Sequence, residues 1–553
     1  MFIRWKRWQS ALLVIAAVLT VGLTNCTGGS QTPTAESPAA GGGSPAATSA
    51  LVFGSGGEPV NLEPGNITDG NSIYVQQQIY DRLLDTKPGT TEIVPALASE
   101  YTASEDGRTW TFKLREGVKF HDGTDFNAEA VKVNVERWWD PQSSLGFRDA
   151  GKTYEIWTDL FGGFKGTPES TLQAINVVDP TTIEFQLKEP FAAFPAAIAS
   201  GYFGIASPDA IQKAGASYGT AGSTAVGTGP YVFKEWRTGD RIVLDKNPNY
   251  WNEGTPLQDQ VVFRFITDPA ARLAELRSGS IDFTTDLAPD QLSEVEGDAN
   301  LKAVKRPSFN VGYFALNPSY EPLSKPEVRQ AIAMAINRPE IVKAFWGDLG
   351  QTDASFLPAS LDNFKDSSLQ PYEYNPDRAK QMLASAGYPD GFDLDLWYMP
   401  VSRPYFPTPK PIAEAMAADL SAIGIRANLQ TKDWAAYLDD RNKEPGFQSF
   451  MLGWTGDYGD PDNFYYAHFG PGATQDLGNW KDEKVIQLLE DGRKNPDAAQ
   501  RQQIYQQVDK LLHEQAVRIP IVHSQPLLAQ RNNVNGWEPS PLGSESFERV
   551  EKQ

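Results

Sequence analysis

The stretch Gly453 to Phe464, GWTGDYGDPDNF, sets three aspartates, Asp457, Asp460 and Asp462, in a turn that follows an apolar run. Carboxylates held in such a turn attract a cation, either a metal ion or an organic ammonium group. Their spacing departs from the D-x-D-x-D-G loop that ends in a glutamate, which argues against calcium. A charge of the opposite sign occurs earlier, at Arg403 in MPVSRPYFP. An arginine and an aspartate delivered to one rim would hold the two ends of a zwitterion. Two plainer readings stand beside this one: Gly, Asp, Asn and Pro dominate ordinary turns, and Arg403 and Asp457 would neutralise each other if they paired.

The elements around these residues read as β-α-β-α-β. Phe392 to Tyr398 alternates apolar positions with Asp393 and Asp395, Ile425 to Thr431 supplies a second strand, and Phe447 to Leu452 a third. Between them, Ile412 to Ile423 reads as a helix stopped by Gly424, and Trp434 to Asn442 as a helix capped by Asp433. That order implies a parallel sheet with right-handed crossovers, whose ligands sit beyond the carboxyl ends of the strands. The loops carrying Arg403 and Asp457 both leave those ends.

Other chemistry is poorly supplied. The four histidines, His121, His468, His513 and His523, are scattered, there is no HExxH and no G-x-S-x-G, and the single cysteine is Cys26. An extracellular hydrolase would need a metal site or a nucleophile, and neither is in evidence. No cofactor motif occurs, and no disulfide can form within the chain.

The 553 residues are enough for two or more domains, with 40% hydrophobic and 22% charged residues. Lys and Arg total 49 against 70 Asp and Glu, a net charge of −21, so nucleic acid is an unfavourable partner. Arg4, Lys6 and Arg7 precede an apolar run from Ala11 to Leu23, the pattern of a secretory signal peptide over residues 1–25. The run ends in Leu23-Thr24-Asn25-Cys26, which resembles the lipobox of bacterial lipoproteins. There Cys26 becomes the lipidated first residue; Asn25 departs from the usual Gly, Ala or Ser. Residues 26–50 are rich in Gly, Ser, Pro, Ala and Thr and read as a flexible tether.

Beyond the tether, Thr109 to Arg115 reads as a strand, Asn127 as the cap of a helix, and Arg237 to Asp240 as a hairpin turn. Ser72 to Leu84 reads as a helix, Asp268-Pro269 opens another that Gly279 closes, and Ser324 with Glu327 forms a capping box. Phe309 to Asn317 is an extended apolar run before a new helical half.

The set YDRLLD, TWTFKLREGVKFHDGTDFNAEAVK, GTGPYVFKEW, NVGYFALN, MPVSRPYFP and GWTGDYGDPDNF, in this order from about Leu51 to Glu551, closely resembles the solute-binding proteins of dipeptide and oligopeptide ABC importers. The resemblance implies an α/β, two-lobed periplasmic-binding-protein-like fold with an extra subdomain in the first lobe and a two-strand hinge. The expected division is residues 51–312 for lobe 1, with a subdomain at about 88–215, residues 313–523 for lobe 2, and 524–553 returning to lobe 1. It also implies that Asp457 holds a peptide's α-ammonium and Arg403 its α-carboxylate. The backbone of Gly453, Trp454, Thr455 and Gly456 is then the candidate to bond the peptide main chain, and Trp454 and Tyr405 are the candidate walls. In the first lobe only the turn Ser55 to Pro59 suggests itself. The expected function is capture of short peptides, dipeptides above all, for an ABC permease, by a monomer without metal or cofactor. Lipid on Cys26 would hold it on the periplasmic or outer side of the cell membrane. The alternatives are an oligopeptide, glutathione, an opine or a nickel chelate as ligand.

Overall fold

The computed structural model describes residues 50–441, 443–471, 473 and 480–553. Cys26, the signal peptide and the tether up to residue 49 lie outside the described residues, as does Asn442 at the end of a predicted helix. No helix among the described residues is long and apolar enough to cross a membrane.

Local sequence chemistry accounts for most helix ends. Asn127 Oδ1 accepts the Ala130 N–H at 3.0 Å to cap Ala128–Trp139, and Asp268 Oδ1 accepts that of Ala271 at 2.8 Å to cap Pro269–Ser278. Gly279, at φ +80°, then closes the second helix in a conformation that side chains disfavour. The helix expected over Ser72 to Leu84 spans Gly70–Ile79, capped by Asp69 and ended where Tyr80 turns extended. The capping box expected at Ser324 is absent: Pro326 opens the helix, Lys325 is its extended N-cap, and the Ser324 hydroxyl bonds the Glu321 carbonyl at 3.1 Å. A residue before proline is driven out of helical geometry, so the helix starts one position later than the box requires.

Three of the sheets organise the chain. A seven-stranded sheet runs in the order Leu301–Lys305, Leu527–Arg531, Phe283–Leu287, Ala50–Ser55, Gln260–Phe265, Arg241–Lys246, Tyr231–Arg237. Its core is aromatic, with Phe53 packed at 5.0 to 5.5 Å from the rings of Phe283, Tyr74, Phe547 and Phe263. Phe547 comes from the C-terminal segment, and its N–H bonds Gln78 Oε1 at 2.7 Å. An antiparallel four-stranded sheet, Ala98–Ala103, Thr109–Leu114, Thr182–Leu187 and Leu172–Asp179, is inserted after the first strand. It packs Phe112, Phe185 and Phe194 against one another.

The second lobe is built on a six-stranded sheet in the order Gly350–Gln351, Arg518–Ser524, Asn310–Leu316, Ser449–Thr455, Asp393–Trp397, Arg426–Gln430. Asn310–Leu316 is buried at every residue, as its unbroken apolar run NVGYFAL requires of a strand paired on both edges. Asp393–Trp397 pairs parallel with Arg426–Gln430 and with Ser449–Thr455, the β-α-β-α-β unit read from the sequence.

The chain passes between the two large sheets at 306–309 and again at 525–526. These passages are tied together: the Arg306 N–H bonds the Pro526 carbonyl at 3.1 Å, and the Asn310 side chain bonds both the Ser524 carbonyl at 2.9 Å and the Ser524 N–H at 3.1 Å.

Candidate ligand site between the lobes

The site begins with a pair of glycines. Gly453 on Ser449–Thr455 lies opposite Gly312 on Asn310–Leu316. With no side chain at either, the Tyr405 ring lies on Gly453 and the Tyr405 carbonyl faces Gly312; a Cβ at residue 453 would overlap the ring. Arg403 and Phe406 exchange backbone hydrogen bonds at 3.0 and 2.9 Å, forming a tight reversal around Pro404 and Tyr405. Tyr405 is buried, Phe406 is fully buried beside Trp346, and the Trp346 indole N–H reaches the Pro404 carbonyl at 3.2 Å. Arg403 thus hangs from an anchored hairpin, with its side chain exposed. Its Nη1 bonds the neighbouring Ser402 carbonyl at 3.1 Å, and its guanidinium lies 5.4 Å from the Trp434 ring centre. Burial pushes the Tyr405 phenol up to about 12, against the opposing charge of Arg403.

Downstream of the same strand the three aspartates separate into two kinds. Asp460 takes both ends of the Arg501 guanidinium, at 2.7 and 2.8 Å, and both residues are buried. Asp462 lies 3.4 Å from Arg493 and accepts the Tyr458 hydroxyl at 3.0 Å. Asp457 has no cationic partner among the described residues. Its Oδ2 accepts the Asn463 side-chain amide at 3.2 Å, and its Oδ1 accepts the hydroxyl of Tyr202, a residue of the first lobe, at 3.2 Å. Asn463 Oδ1 in turn accepts the Asp457 N–H at 2.8 Å and the Trp454 indole N–H at 3.1 Å, so one amide fixes loop, carboxylate and ring together. Burial, aided by the charge of Asp159, pushes the Asp457 carboxyl up to about 6 against the hydrogen bonds from Asn463 and Tyr202.

Arg403 and Asp457 do not pair with each other. Tyr405, Arg403 and Gly453 form one cluster; Asp457, Trp454 and Asn463 form the other. Ser449–Thr455 joins them. Trp454 is half-buried and meets His468 edge-on at 5.1 Å, Thr455 is exposed, and Gly456 is pressed against Phe309 and Phe464. Past Phe450 the strand loses its parallel partner, so one edge of residues 451–455 has no strand beside it. In the Ser55 to Pro59 turn of the first lobe, the Ser55 hydroxyl bonds the Gly57 carbonyl at 2.8 Å, and Glu58 accepts the Trp236 indole N–H at 2.7 Å.

Further along the loop, Tyr458 packs among the apolar residues of the inserted subdomain, and Gly459 abuts Thr91. A second bridge lies nearby, where the Ala192 N–H bonds the Arg493 carbonyl at 2.8 Å and the Arg493 guanidinium sits 4.2 Å from the ring of Phe191. The histidines are structural: His121, His468, His513 and His523 each bond backbone carbonyls. No metal-holding group of His, Cys, Asp and Glu occurs among the described residues. Sequence reasoning passed over Tyr202 and Asn463. Asn463 stood inside the quoted stretch, six residues beyond Asp457, whereas Tyr202 reaches the site only through the fold.

The dipeptide-binding protein of Escherichia coli (strain K12) is 34% identical over 514 residues, covering 90% of this chain and 94% of that one. Heme-binding protein A of Haemophilus influenzae is 32% identical over 553 residues, covering 98% of each. Among solved structures, the dipeptide binding protein from Pseudoalteromonas sp. SM9913 in complex with Met-Leu superposes with a TM-score of 0.74 at 29% identity, covering 91% of this chain and all of that one. The model for the middle region of the bacterial extracellular solute-binding proteins, family 5, matches residues 92–476. With its two lobes and its inserted subdomain, the chain belongs to the bacterial extracellular solute-binding proteins of family 5, which are transport binding proteins and not enzymes.

Proposed function

We propose that this protein captures short peptides, dipeptides foremost, by their charged ends, and delivers them to the permease of an ABC importer. Asp457 takes the α-ammonium and Arg403 the α-carboxylate, while the backbone of Gly453 to Gly456 bonds the peptide main chain and Tyr405 and Trp454 form walls. The observation that carries this reading is the difference within one loop: Asp460 and Asp462 have arginines, and Asp457 has none. A carboxylate drawn out of water without a counter-charge is costly unless a ligand supplies one. Haem, named for the Haemophilus relative, has no ammonium group to offer there. The Met-Leu complex of a structural neighbour supports a zwitterion of two residues. Closure about the passages at 306–309 and 525–526 completes the site. Lipid on Cys26 tethers the monomer to the outer face of the cell membrane, in the periplasm or at the cell surface. A Cys26→Ala protein should leave the membrane fraction.

Calorimetric titration of the wild-type protein with Met-Leu, N-acetyl-Met-Leu and Met-Leu amide tests the ligand class. Binding of the free dipeptide, with both blocked forms far weaker, is expected. Equal binding of all three would reject the charged anchors, and binding of none would reject peptides.

A further inference from the structure

Tyr202 holds a position that neither its sequence context nor the ligand reading explains. Its own carbonyl accepts the Gly65 N–H at 2.7 Å, and the preceding carbonyl, of Gly201, accepts the Gln77 side-chain amide at 3.0 Å, so its backbone belongs firmly to the first lobe. Its hydroxyl nevertheless donates to Asp457 Oδ1 in the second lobe, while Asn463 holds Oδ2 from the second lobe itself. Each oxygen of the carboxylate is therefore gripped from a different lobe. We propose that Tyr202 is a positioning residue that transmits occupancy of the Asp457 anchor to the first lobe, so that a cationic ligand end tightens the contact between lobes without touching Tyr202.

The physical basis is the dependence of a hydrogen bond on charge. A phenol bonded to a carboxylate is roughly twice as strong an interaction as the same phenol bonded to a neutral carboxyl. In the unliganded protein ionisation of Asp457 is resisted by burial and by Asp159, which stands on the helix Glu155–Phe161; Asp69, the cap of Gly70–Ile79, adds its negative charge near Tyr202. An arriving ammonium group reverses this by supplying the missing positive charge. Near and below pH 6, where the empty site is substantially protonated, the ammonium drives Asp457 to its ionised form, the Tyr202 bond becomes charge-assisted, and the ligand acquires a differential interaction with the closed form, which is what a population shift requires. Asp159 and Asp69 add to the preference for a cation. A ligand with a blocked amine can fill the same space and yet leave the Tyr202 bond in its weaker form.

The inference rests on Asp457 taking the ligand's cation, and Tyr202→Phe separates the two claims. This substitution keeps the ring and removes one oxygen. At pH 5.5 to 6, Met-Leu should bind the variant about 10-fold more weakly or worse, with the loss in dissociation rate, whereas N-acetyl-Met-Leu should bind variant and wild type alike. The phenol stabilises the ionised carboxylate, so its loss raises the Asp457 midpoint. The pH at which Met-Leu affinity is half lost should therefore move upward, a change that a packing role would not produce. If Tyr202→Phe matches the wild type in Met-Leu affinity and in pH midpoint while Asp457→Asn fails to bind, the role of Tyr202 is rejected and the anchor stands. If Asp457→Asn binds Met-Leu as tightly as the wild type, both are rejected.

Discussion

The ring of Tyr405 lies on the backbone of Gly453, and Gly312, the cross-strand partner of Gly453, faces the Tyr405 carbonyl. Two missing side chains thus seat one aromatic residue, and through the paired backbone bonds of Arg403 and Phe406 that seat sets where Arg403 stands. Gly453→Ala should push the ring away. We expect a stability loss of about 1 to 3 kcal/mol from overpacking, read as a lower melting temperature. Affinity for Met-Leu should fall while affinity for Met-Leu amide changes little, because the displaced group is the one that meets the carboxylate.

The β-α-β-α-β unit was legible from sequence because its signals are local: alternation in FDLDLWY, the stops at Gly424 and the cap at Asp433 all act within a few residues. The same locality makes the Arg403 and Asp457 loops share one end of a parallel sheet. The Tyr202 contact was not legible, since it joins residues 255 positions apart on different lobes. Nor could sequence show that Asp460 and Asp462 have arginines, because Arg501 and Arg493 arrive on later helices, Ala498–Gln515 and Glu483–Lys494. The three aspartates look equivalent as text. Their partners, supplied by tertiary packing, make them different.

That difference has an energetic consequence at Asp460. Its pair with Arg501 is buried and bidentate, and Arg501 also holds the Gly492 carbonyl at 2.7 Å. Arg501→Met would leave a carboxylate buried without its counter-charge, at a cost of about 3 to 5 kcal/mol. A melting temperature lowered well below that of the wild type is the expected result. A change in dipeptide affinity without loss of stability would instead place Asp460 in the ligand site.

Asp457 should behave in the opposite sense. Its carboxyl is raised from 3.8 to about 6 in the folded protein, so ionisation costs the unliganded fold stability as pH rises through that window. Asp457→Asn removes the cost. Above pH 6 the unliganded variant should be more stable than the wild type by about 1 kcal/mol, after allowance for solvent screening of a half-buried group. The advantage should vanish below about pH 4, where the carboxyl is protonated whether the chain is folded or not. Denaturant melts at pH 4, 6 and 8 read this directly, and a variant less stable than the wild type at pH 8 would contradict it.

Ligand affinity should follow the same group with the reverse sign. An ammonium group needs the ionised carboxylate, so Met-Leu should bind at full strength above about pH 6 and weaken as pH falls through that value. The histidines do not confuse the reading, since burial holds His121, His468, His513 and His523 below their usual range. A pH-independent affinity between 5 and 8 would show that Asp457 does not meet a cation.

Arg403 decides the length of the ligand. Two fixed charges act as a ruler, because an extended residue spans about 3.3 to 3.6 Å, and only a peptide whose ends reach both anchors satisfies them. In a dipeptide site, Arg403→Met leaves the bound carboxylate unpaired after closure and should cost about 2 to 5 kcal/mol of Met-Leu affinity. Its exposed side chain and lack of a carboxylate partner among the described residues mean that the same substitution should hardly alter the melting temperature. In a site for longer peptides the carboxylate passes beyond Arg403, and the substitution is nearly silent. Titration of di-, tri- and tetrapeptides against the wild type and Arg403→Met separates the two cases: a loss confined to the dipeptide supports the ruler, and an equal affinity of all three lengths for both proteins overturns it.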